Sequence, residues 1–166
     1  ALARCLQNLG LALSYGDSPA VDSPDRAAKN SGIAAAAAEL DIPGADFENS
    51  EEVELPQAKV MRRTNLAQGV IAADGLVTLA KLKTHALTGM TGVVKNQFGT
   101  IPGLRKAKLH VSYQDLDNFA LMLADLNCYL KPRLAVMDAV VAMQGNGPKN
   151  GEPRKVGAVL LSTDLL

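Results

Sequence analysis

Hydrophobic residues along the chain fall into short runs that glycine-, proline- and charge-rich segments separate, a pattern typical of alternating strands and helices. The nearly continuous apolar run at residues 134–141 predicts a strand that is covered on both faces. Residues 76–79 predict a second buried strand, which runs on into the polar residues 81–85. Between these two runs, apolar residues at helical spacing predict a helix: Leu116, Phe119, Ala120, Leu123 and Leu130.

Weaker patterns predict the remaining elements. Ser23-Pro24 offers an N-cap and a first-turn proline for an alanine-rich helix that ends near Leu40. A capping box at Ser112 and Asp115 predicts the start of the helix described above. Further helices are predicted at 1–9 and 66–73, strands at 11–15, 59–63 and 156–161, and an acidic loop at 41–57. This order predicts an α/β fold with a mixed, mostly parallel sheet flanked by helices.

The length of 166 residues fits one domain over residues 1–166. The chain begins without Met and stops soon after an apolar run, whereas natural termini more often trail off in polar residues. We therefore expect it to be an excerpt of a larger domain.

Composition excludes several classes of partner. Lys and Arg number 17, as do Asp and Glu, and this zero net charge argues against general affinity for nucleic acids or membrane surfaces. With 4% aromatic residues and no Trp, bases have little on which to stack. No apolar run approaches the ~20 residues of a membrane span, and no signal peptide is present. We expect no nucleic-acid or membrane partner and a cytoplasmic location.

The two cysteines, Cys5 and Cys128, are too few for the four thiolates of an iron–sulfur cluster. We expect no such cluster within this chain and interpret both cysteines as packing residues of helices.

The charges are sorted along the chain. No Asp or Glu occurs from Gly75 to Gln114, a segment that holds six Lys and Arg residues and both histidines. A solvated basic face would explain such a run. However, the cations alternate with glycines, which let a backbone approach a ligand, and with threonines, which add hydroxyl donors. The segment therefore favours a site for a carboxylate or a phosphate, and its candidate residues are Lys83, Thr84, Thr91, Gly92 and Asn96.

Three residues of this segment are candidates for chemistry. His85 follows a buried strand, at the position where open α/β sheets bind ligands. Lys95 follows the apolar pair Val93-Val94, so its stem is expected to be partly buried and its pKa depressed, which would make it a base or a nucleophile. His110 lies in the same segment. A single histidine is more often structural, but two histidines beside Lys95 favour one shared pocket. As metal ligands, His85 and His110 alone leave a zinc sphere incomplete.

Two glycine-containing turns offer further candidates. Asp17 and Ser18 follow a predicted strand, either as a tight turn or as ligand-binding residues at the same sheet edge as His85. Asn146 lies in a glycine-rich loop that either connects two strands or lines a ligand. Asp138, within an apolar run, either marks the point where the strand turns to solvent or pairs with a lysine of the basic segment.

The central motif resembles the DUF362 family. The resemblance rests on Lys81-Leu82-Lys83-Thr84-His85, Thr91–Gly99, Pro102-Gly103 and His110, together with the segments 16–19 and 143–148, and covers nearly the whole chain. Members have unknown function, and many carry a ferredoxin-type segment. The resemblance therefore implies a ferredoxin-type segment or protein as partner and an iron–sulfur-associated oxidoreductase or a related enzyme.

Part of the same pattern is similar to the lactate racemase family. Lys83-x-His85, the following glycines, Lys95, Pro102-Gly103 and His110 carry this similarity. In that family a lysine carries a nickel-pincer nucleotide, one histidine ligates the nickel, and another moves the substrate proton. By position, the similarity implies attachment at Lys95, metal ligation by His110 and acid–base work by His85. A metal or a nucleotide-type cofactor is thus an expectation of the resemblance.

Two functional hypotheses follow. In the first, the chain is a catalytic or redox domain in which Lys83, Lys95 and nearby Thr and Gly groups hold an anionic small molecule, while His85 and His110 move protons or bind a metal. In the second, the basic segment is a non-catalytic module that binds an anion or a partner's acidic loop, including that of a second copy in a homodimer.

Overall fold

The computed structural model describes residues 1–19, 22–103 and 105–165. Its helices are α1 (Leu2–Asn8), α2 (Pro24–Asn30), α3 (Ile33–Ala38), α4 (Gln68–Ile71), α5 (Val93–Asn96), α6 (Arg105–Ser112) and α7 (Leu116–Leu130), with a 3₁₀ turn at Gln97–Thr100. Its strands are β1 (Ser50–Glu54), β2 (Arg63–Ala67), β3 (Val77–His85), β4 (Gly89–Thr91), β5 (Leu134–Asn146) and β6 (Asn150–Ser162). The predicted α/β class is confirmed.

The chain divides into two compact units. Unit 1 comprises Ala1–Glu52, Asn65–Ala72 and Gly99–Ala107, and unit 2 comprises Val53–Thr64, Ala73–Phe98 and Lys108–Leu166. In unit 1, α2 packs against α3, and apolar residues such as Phe47 and Leu66 are buried. One domain over residues 1–166 stays a prediction.

Unit 2 is built on a four-stranded sheet in the order β4-β3-β5-β6. The strand β3 runs parallel to β5, whereas β4 and β6 are antiparallel to their neighbours. The mixed sheet is confirmed, but its parallel share is smaller than the sequence predicts. Only three residues connect β3 to β4 and β5 to β6, and such short connections join antiparallel strands, because a parallel return needs a crossover of a dozen or more residues.

The helix α7 has a side-chain N-cap directly before its first residue, Leu116. Asp115 is the N-cap, and its carboxylate accepts the N–H of Asn118 at 2.9 Å. The predicted capping box assigned this position to Ser112, which is instead the last residue of α6. The buried face of α7 includes Phe119, Met122 and Leu126, which supply much of the core of unit 2.

Several predicted elements are wrong for identifiable reasons. The alanine-rich helix is broken at Gly32, whose φ of 79° is left-handed. Residues 11–15 form only a single bridge, Tyr15 to Gly44, and Leu11 is exposed.

The predicted strand at 59–63 begins only at Arg63, since the preceding backbone N–H groups bind a carboxylate of α7. The predicted helix at 66–73 is shortened to Gln68–Ile71, and the acidic loop contains β1. Cys5 and Cys128 are exposed and do not pack in a core.

The buried carboxylate of Asp125, on α7, binds the backbone of residues 59–61. Its two carboxylate oxygens accept the backbone N–H groups of Lys59, Val60 and Met61 at 2.8–2.9 Å. Burial alone would raise the pKa of Asp125, but these three hydrogen bonds hold it below its ordinary value. The buried side chain of Asp125 thus fixes the segment between β1 and β2 to α7.

Within the described residues, no helix is both long enough and apolar enough to cross a lipid bilayer.

Candidate functional site

His85 is the last residue of β3, and the turn that follows wraps around its ring. The backbone N–H groups of Leu87 and Thr88 donate to its Nδ1 at 3.1 and 3.3 Å. An imidazole nitrogen that accepts hydrogen bonds carries no proton, so this hydrogen-bond network assigns the proton of the neutral ring to Nε2. The turn thereby fixes both the orientation and the tautomer of His85.

The amine of Lys95 faces the other nitrogen of this ring. Lys95 lies on the short helix α5, and its Nζ is 3.1 Å from His85 Nε2. Because Nε2 carries the proton, Nζ must accept the hydrogen bond, and a lysine can accept only as a neutral amine. Partial burial lowers the pKa of Lys95, in agreement with this geometry. Burial lowers the pKa of His85 as well, and the charge that Lys95 or His110 would carry when protonated lowers it further.

His110, on α6, sits between two aromatic rings. It stacks on Phe119 with 4.7 Å between centroids and an interplanar angle of 10°. Phe98 meets it edge-on at 5.3 Å and 80°. Burial lowers the pKa of His110, and the charge of a protonated Lys95 would lower it further. Its Nδ1 is buried and has no hydrogen-bond partner among the described residues. His110 is therefore a neutral imidazole with an unused nitrogen. We call His85, Lys95 and His110 the imidazole–amine cluster.

The backbone around Lys95 is fixed from two sides. Asn127 of α7 donates from Nδ2 to the carbonyl oxygen of Val94 at 3.0 Å. Gly92 is the residue before α5, and it lies close to Met137 of β5. A Cβ at residue 92 would lie 3.1 Å from Met137 Sδ. Gly92 thus serves close packing, and together with Asn127 it places the Lys95 side chain.

Lys83 and Thr91 lie on the same face of the β3–β4 pair as His85. Lys83 is directly opposite Thr91, and His85 is directly opposite Gly89. Opposed residues share a face, as do residues two apart on one strand. Lys83 is half-buried, and Thr91 Oγ1 is buried without a hydrogen-bond partner among the described residues. A cation and an unused hydroxyl therefore accompany the imidazole of His85.

The remaining candidates from β3 to β6 make contacts within unit 2. Thr84 Oγ1 donates to the carbonyl oxygen of Gly145 at 2.9 Å, and Asn96 Nδ2 donates to that of Leu79 at 3.4 Å. Asn146 is exposed at the end of β5, opposite Asn150. For Asp138, Lys81 is the partner at 2.7 Å. Thr84, Asn96 and Asp138 therefore make contacts that hold the sheet and α5 together, whereas the side chain of Asn146 makes no such contact with the described residues.

Asp17 and Ser18 belong to a hydrogen-bonded group in unit 1. Ser18 donates its N–H to the carbonyl oxygen of Gly99 at 3.0 Å, and its Oγ accepts the N–H of Gly103 at 3.0 Å. The Nζ of Lys106 donates to the carbonyl oxygen of Ser18. Burial raises the pKa of Asp17, and the charge of Lys106 opposes that shift. The contacts of Ser18 fit a structural turn.

The cluster does not fit a metal held by His85. No group of three His, Cys, Asp or Glu side chains converges in the parts of the chain that the structure describes. A metal-bound histidine typically donates from its other nitrogen, whereas Nδ1 of His85 accepts from two N–H groups. The resulting proton on Nε2 leaves no lone pair for a metal. Metal ligation by His110 stays a prediction.

Sequence reasoning missed the residues that hold the cluster in place. Asn127 and Phe119 lie on α7, which the helical stripe predicts as a packing element and nothing more. A polar Asn127 within an apolar helix face is the one signal that could have pointed to the anchor of α5.

A known protein family matches the whole chain. The family model described as "Domain of unknown function (DUF362)" matches residues 1–166. The chain belongs to the DUF362 family. A DUF362 chain thus carries the imidazole–amine cluster, and the predicted membership is confirmed.

A curated relative gives this DUF362 chain some context. The thylakoid-associated protein sll1697 of Synechocystis sp. is 35% identical over 166 residues, which are 99% of this chain and 51% of that protein. The chain therefore spans about half the length of this relative. No solved structure matches the chain.

Proposed function

We propose that this DUF362 chain is the catalytic domain of an enzyme that binds a small anionic molecule and acts on it through Lys95. The Lys95 amine is the base or nucleophile, His85 orients that amine, and His110 moves protons. The observation that carries the proposal is the 3.1 Å contact between Lys95 Nζ and His85 Nε2, with His85 Nδ1 occupied by two backbone N–H groups.

A purely structural role explains this arrangement poorly. Buried lysines are normally paired with a carboxylate, because an uncompensated charge in the interior is costly. Here the partner of Lys95 is an imidazole, and the two groups that would lower the pKa of His85 in their protonated forms, Lys95 and His110, are both basic. Such an arrangement stabilises the reactive, unprotonated amine, which is the form that catalysis requires.

The anionic substrate follows from the groups beside the cluster. Lys83 and Thr91 share the face of His85 and offer a cation and a hydroxyl, and no acidic residue occurs between Gly75 and Gln114. A carboxylate or phosphate bound there would contact Lys83 while its reacting atom faces Lys95.

Broader features are also part of the proposal. The resemblances support a ferredoxin-type segment or protein as redox partner. A nucleotide-type cofactor attached to Lys95, which the similarity to the lactate racemase family implies, is the alternative use of this amine. A cytoplasmic location and a homodimer stay predictions. The description of the Synechocystis relative as thylakoid-associated supports association with thylakoids as the alternative location.

Oxalate, a small dianion without a reactive carbonyl, tests the anion site. The chain has two histidines, so NMR of the imidazole rings reports the cluster directly. We expect millimolar oxalate to shift both ring signals, and Lys83→Met to weaken oxalate binding at least about tenfold, the loss of one charge-assisted contact. The matched control is Lys155→Met on the exposed strand β6. Unshifted rings, or equal weakening by both variants, would reject the anion site.

The non-catalytic module is separated from the enzyme by His85→Asn. This variant should leave oxalate affinity nearly unchanged in either case, because the anion contacts Lys83. In the enzyme it should also slow the reaction of Lys95 with amine reagents at pH 7, because Nζ loses the Nε2–H donor that favours its unprotonated form. A simple binding module predicts no change in the reactivity of that amine.

A further inference from the structure

The imidazole–amine cluster has the composition of a site for covalent chemistry with a carbonyl compound. A neutral amine adds to a carbonyl carbon, whereas an ammonium cannot. We infer that Lys95 forms an imine with a small anionic carbonyl compound of the 2-oxo-acid class. This inference rests on the proposed function, since it assigns a substrate class to the same amine and the same anion-binding residues.

The hydrogen bonds of His85 make Lys95 exceptional among the lysines of the chain. A solvent-exposed lysine with a pKa of about 10.4 is a neutral amine in only about one molecule in 2,500 at pH 7. Lys95 faces the protonated Nε2 of His85, which an ammonium could not approach without placing two donors against each other. The geometry therefore keeps the amine ready for addition.

The residues of the cluster also complete the reaction. As the lone pair of Lys95 Nζ forms the bond to the carbonyl carbon, the C=O π electrons move to oxygen. The Nε2–H of His85, released from Nζ, can donate to that oxygen. His110, whose Nδ1 has no partner among the described residues, is the group available to carry protons from Nζ to the oxygen. The C–O bond then breaks, and one water leaves with the two amine hydrogens. No oxidant or reductant is consumed.

The carboxylate of a 2-oxo acid accounts for the other polar groups on this face. The carbon that Lys95 attacks is bonded directly to the carboxylate, so the anion must bind within a few ångströms of Nζ. Lys83 and Thr91 lie on the face of β3 and β4 that carries His85. They offer a cation and an unused hydroxyl to that carboxylate, which a neutral aldehyde could not exploit.

Glyoxylate with cyanoborohydride at pH 7 tests the inference on the unmodified protein. Reduction of an imine with glyoxylate leaves a carboxymethyl group on the lysine, and peptide mapping locates it. We expect Lys95 to be labelled at least about tenfold faster than exposed lysines, given its larger neutral fraction. Acetaldehyde at equal concentration should label Lys95 more slowly. Labelling spread over exposed lysines, equal rates for the two carbonyl compounds, or a Lys95 already modified in the purified protein would overturn the inference.

Two variants control the assignment. Lys95→Arg should lose the fast-labelled site, whereas Lys155→Arg on β6 should keep it. Because the wild-type peptide map already locates the adduct, the result does not depend on the folding of either variant. If oxalate shifts both imidazoles while glyoxylate leaves Lys95 unlabelled, the imine is rejected and the anion-binding enzyme stands. If neither probe acts at the cluster, both proposals are rejected.

Discussion

Asp125→Asn is expected to lower the free energy of unfolding by about 2–4 kcal/mol, measured by urea denaturation at pH 7. The carboxylate accepts three backbone N–H groups, those of Lys59, Val60 and Met61. An amide has one acceptor oxygen and no charge, so it leaves part of this set unsatisfied, and each buried donor without a partner costs about 1–3 kcal/mol. Asp117→Asn, on the exposed first turn of the same helix, is the matched control and should change stability by less than about 0.5 kcal/mol.

The pH dependence of this effect has a defined sign. The folded-state pKa of Asp125 lies below its ordinary value of 3.8, so the folded protein binds fewer protons at this site than the unfolded chain. The stabilisation is therefore complete above pH 3.8 and is lost as the pH falls through the folded-state pKa. The gap between wild type and Asp125→Asn should narrow over that acidic range. A gap that stays constant or widens would show that the hydrogen bonds do not depend on the charge.

Gly147→Ala is expected to destabilise the protein by about 1–3 kcal/mol, the usual cost of forcing extra volume into a packed site. A Cβ at residue 147 would lie 2.1 Å from the carbonyl oxygen of Thr84, so backbone atoms must move. Thr84 precedes His85, and Ala86 donates its N–H to the carbonyl oxygen of Gly147 at 3.3 Å. The displacement should therefore reach the ring of His85. Thermal denaturation measures the loss of stability, and the NMR signals of the two histidine rings measure the displacement.

Gly44→Ala provides the comparison for this substitution. Its added Cβ would meet no atom closer than 3.8 Å, so stability and both imidazole signals should stay as in the wild type. Unchanged His85 signals in Gly147→Ala would show that the turn absorbs the extra methyl group without moving β3.

The sequence predicts best the elements whose residues are uniform in character. The apolar runs of β3 and β5 and the stripe of α7 identify these three elements correctly. The predicted burial is wrong in part, since Val77 and Leu79 of β3 and Val140 and Val141 of β5 are exposed. Local patterns mislead where a distant group determines the backbone. The segment before Arg63 has an apolar–polar pattern typical of a strand, but Asp125, more than sixty residues away in the sequence, takes up its N–H groups. The alanine-rich helix fails because Gly32 adopts a left-handed conformation that propensity does not specify.

The candidate site was partly predictable because its chemistry is concentrated in one segment. The absence of acids from Gly75 to Gln114 and the position of Lys95 after two valines point to a depressed amine pKa and to both histidines. The tautomer of His85 was not predictable, since it depends on two N–H groups in a turn whose shape the sequence does not define. Nor was the role of Asn127, which acts on α5 from a different helix.

The most direct test of the imidazole–amine cluster measures the protonation states of the His85 ring and the Lys95 amine in the intact protein at pH 7. Two-bond ¹H–¹⁵N correlation spectra of the histidine rings, assigned with His110→Asn, report the tautomer of His85, and the titration of the Lys95 side chain gives its pKa. We predict an unprotonated Nδ1 and a protonated Nε2 on His85, and a Lys95 pKa below its ordinary value of 10.5. A His85 ring protonated at Nδ1, beside a Lys95 that titrates at 10.5, would contradict the neutral amine on which the proposed chemistry depends.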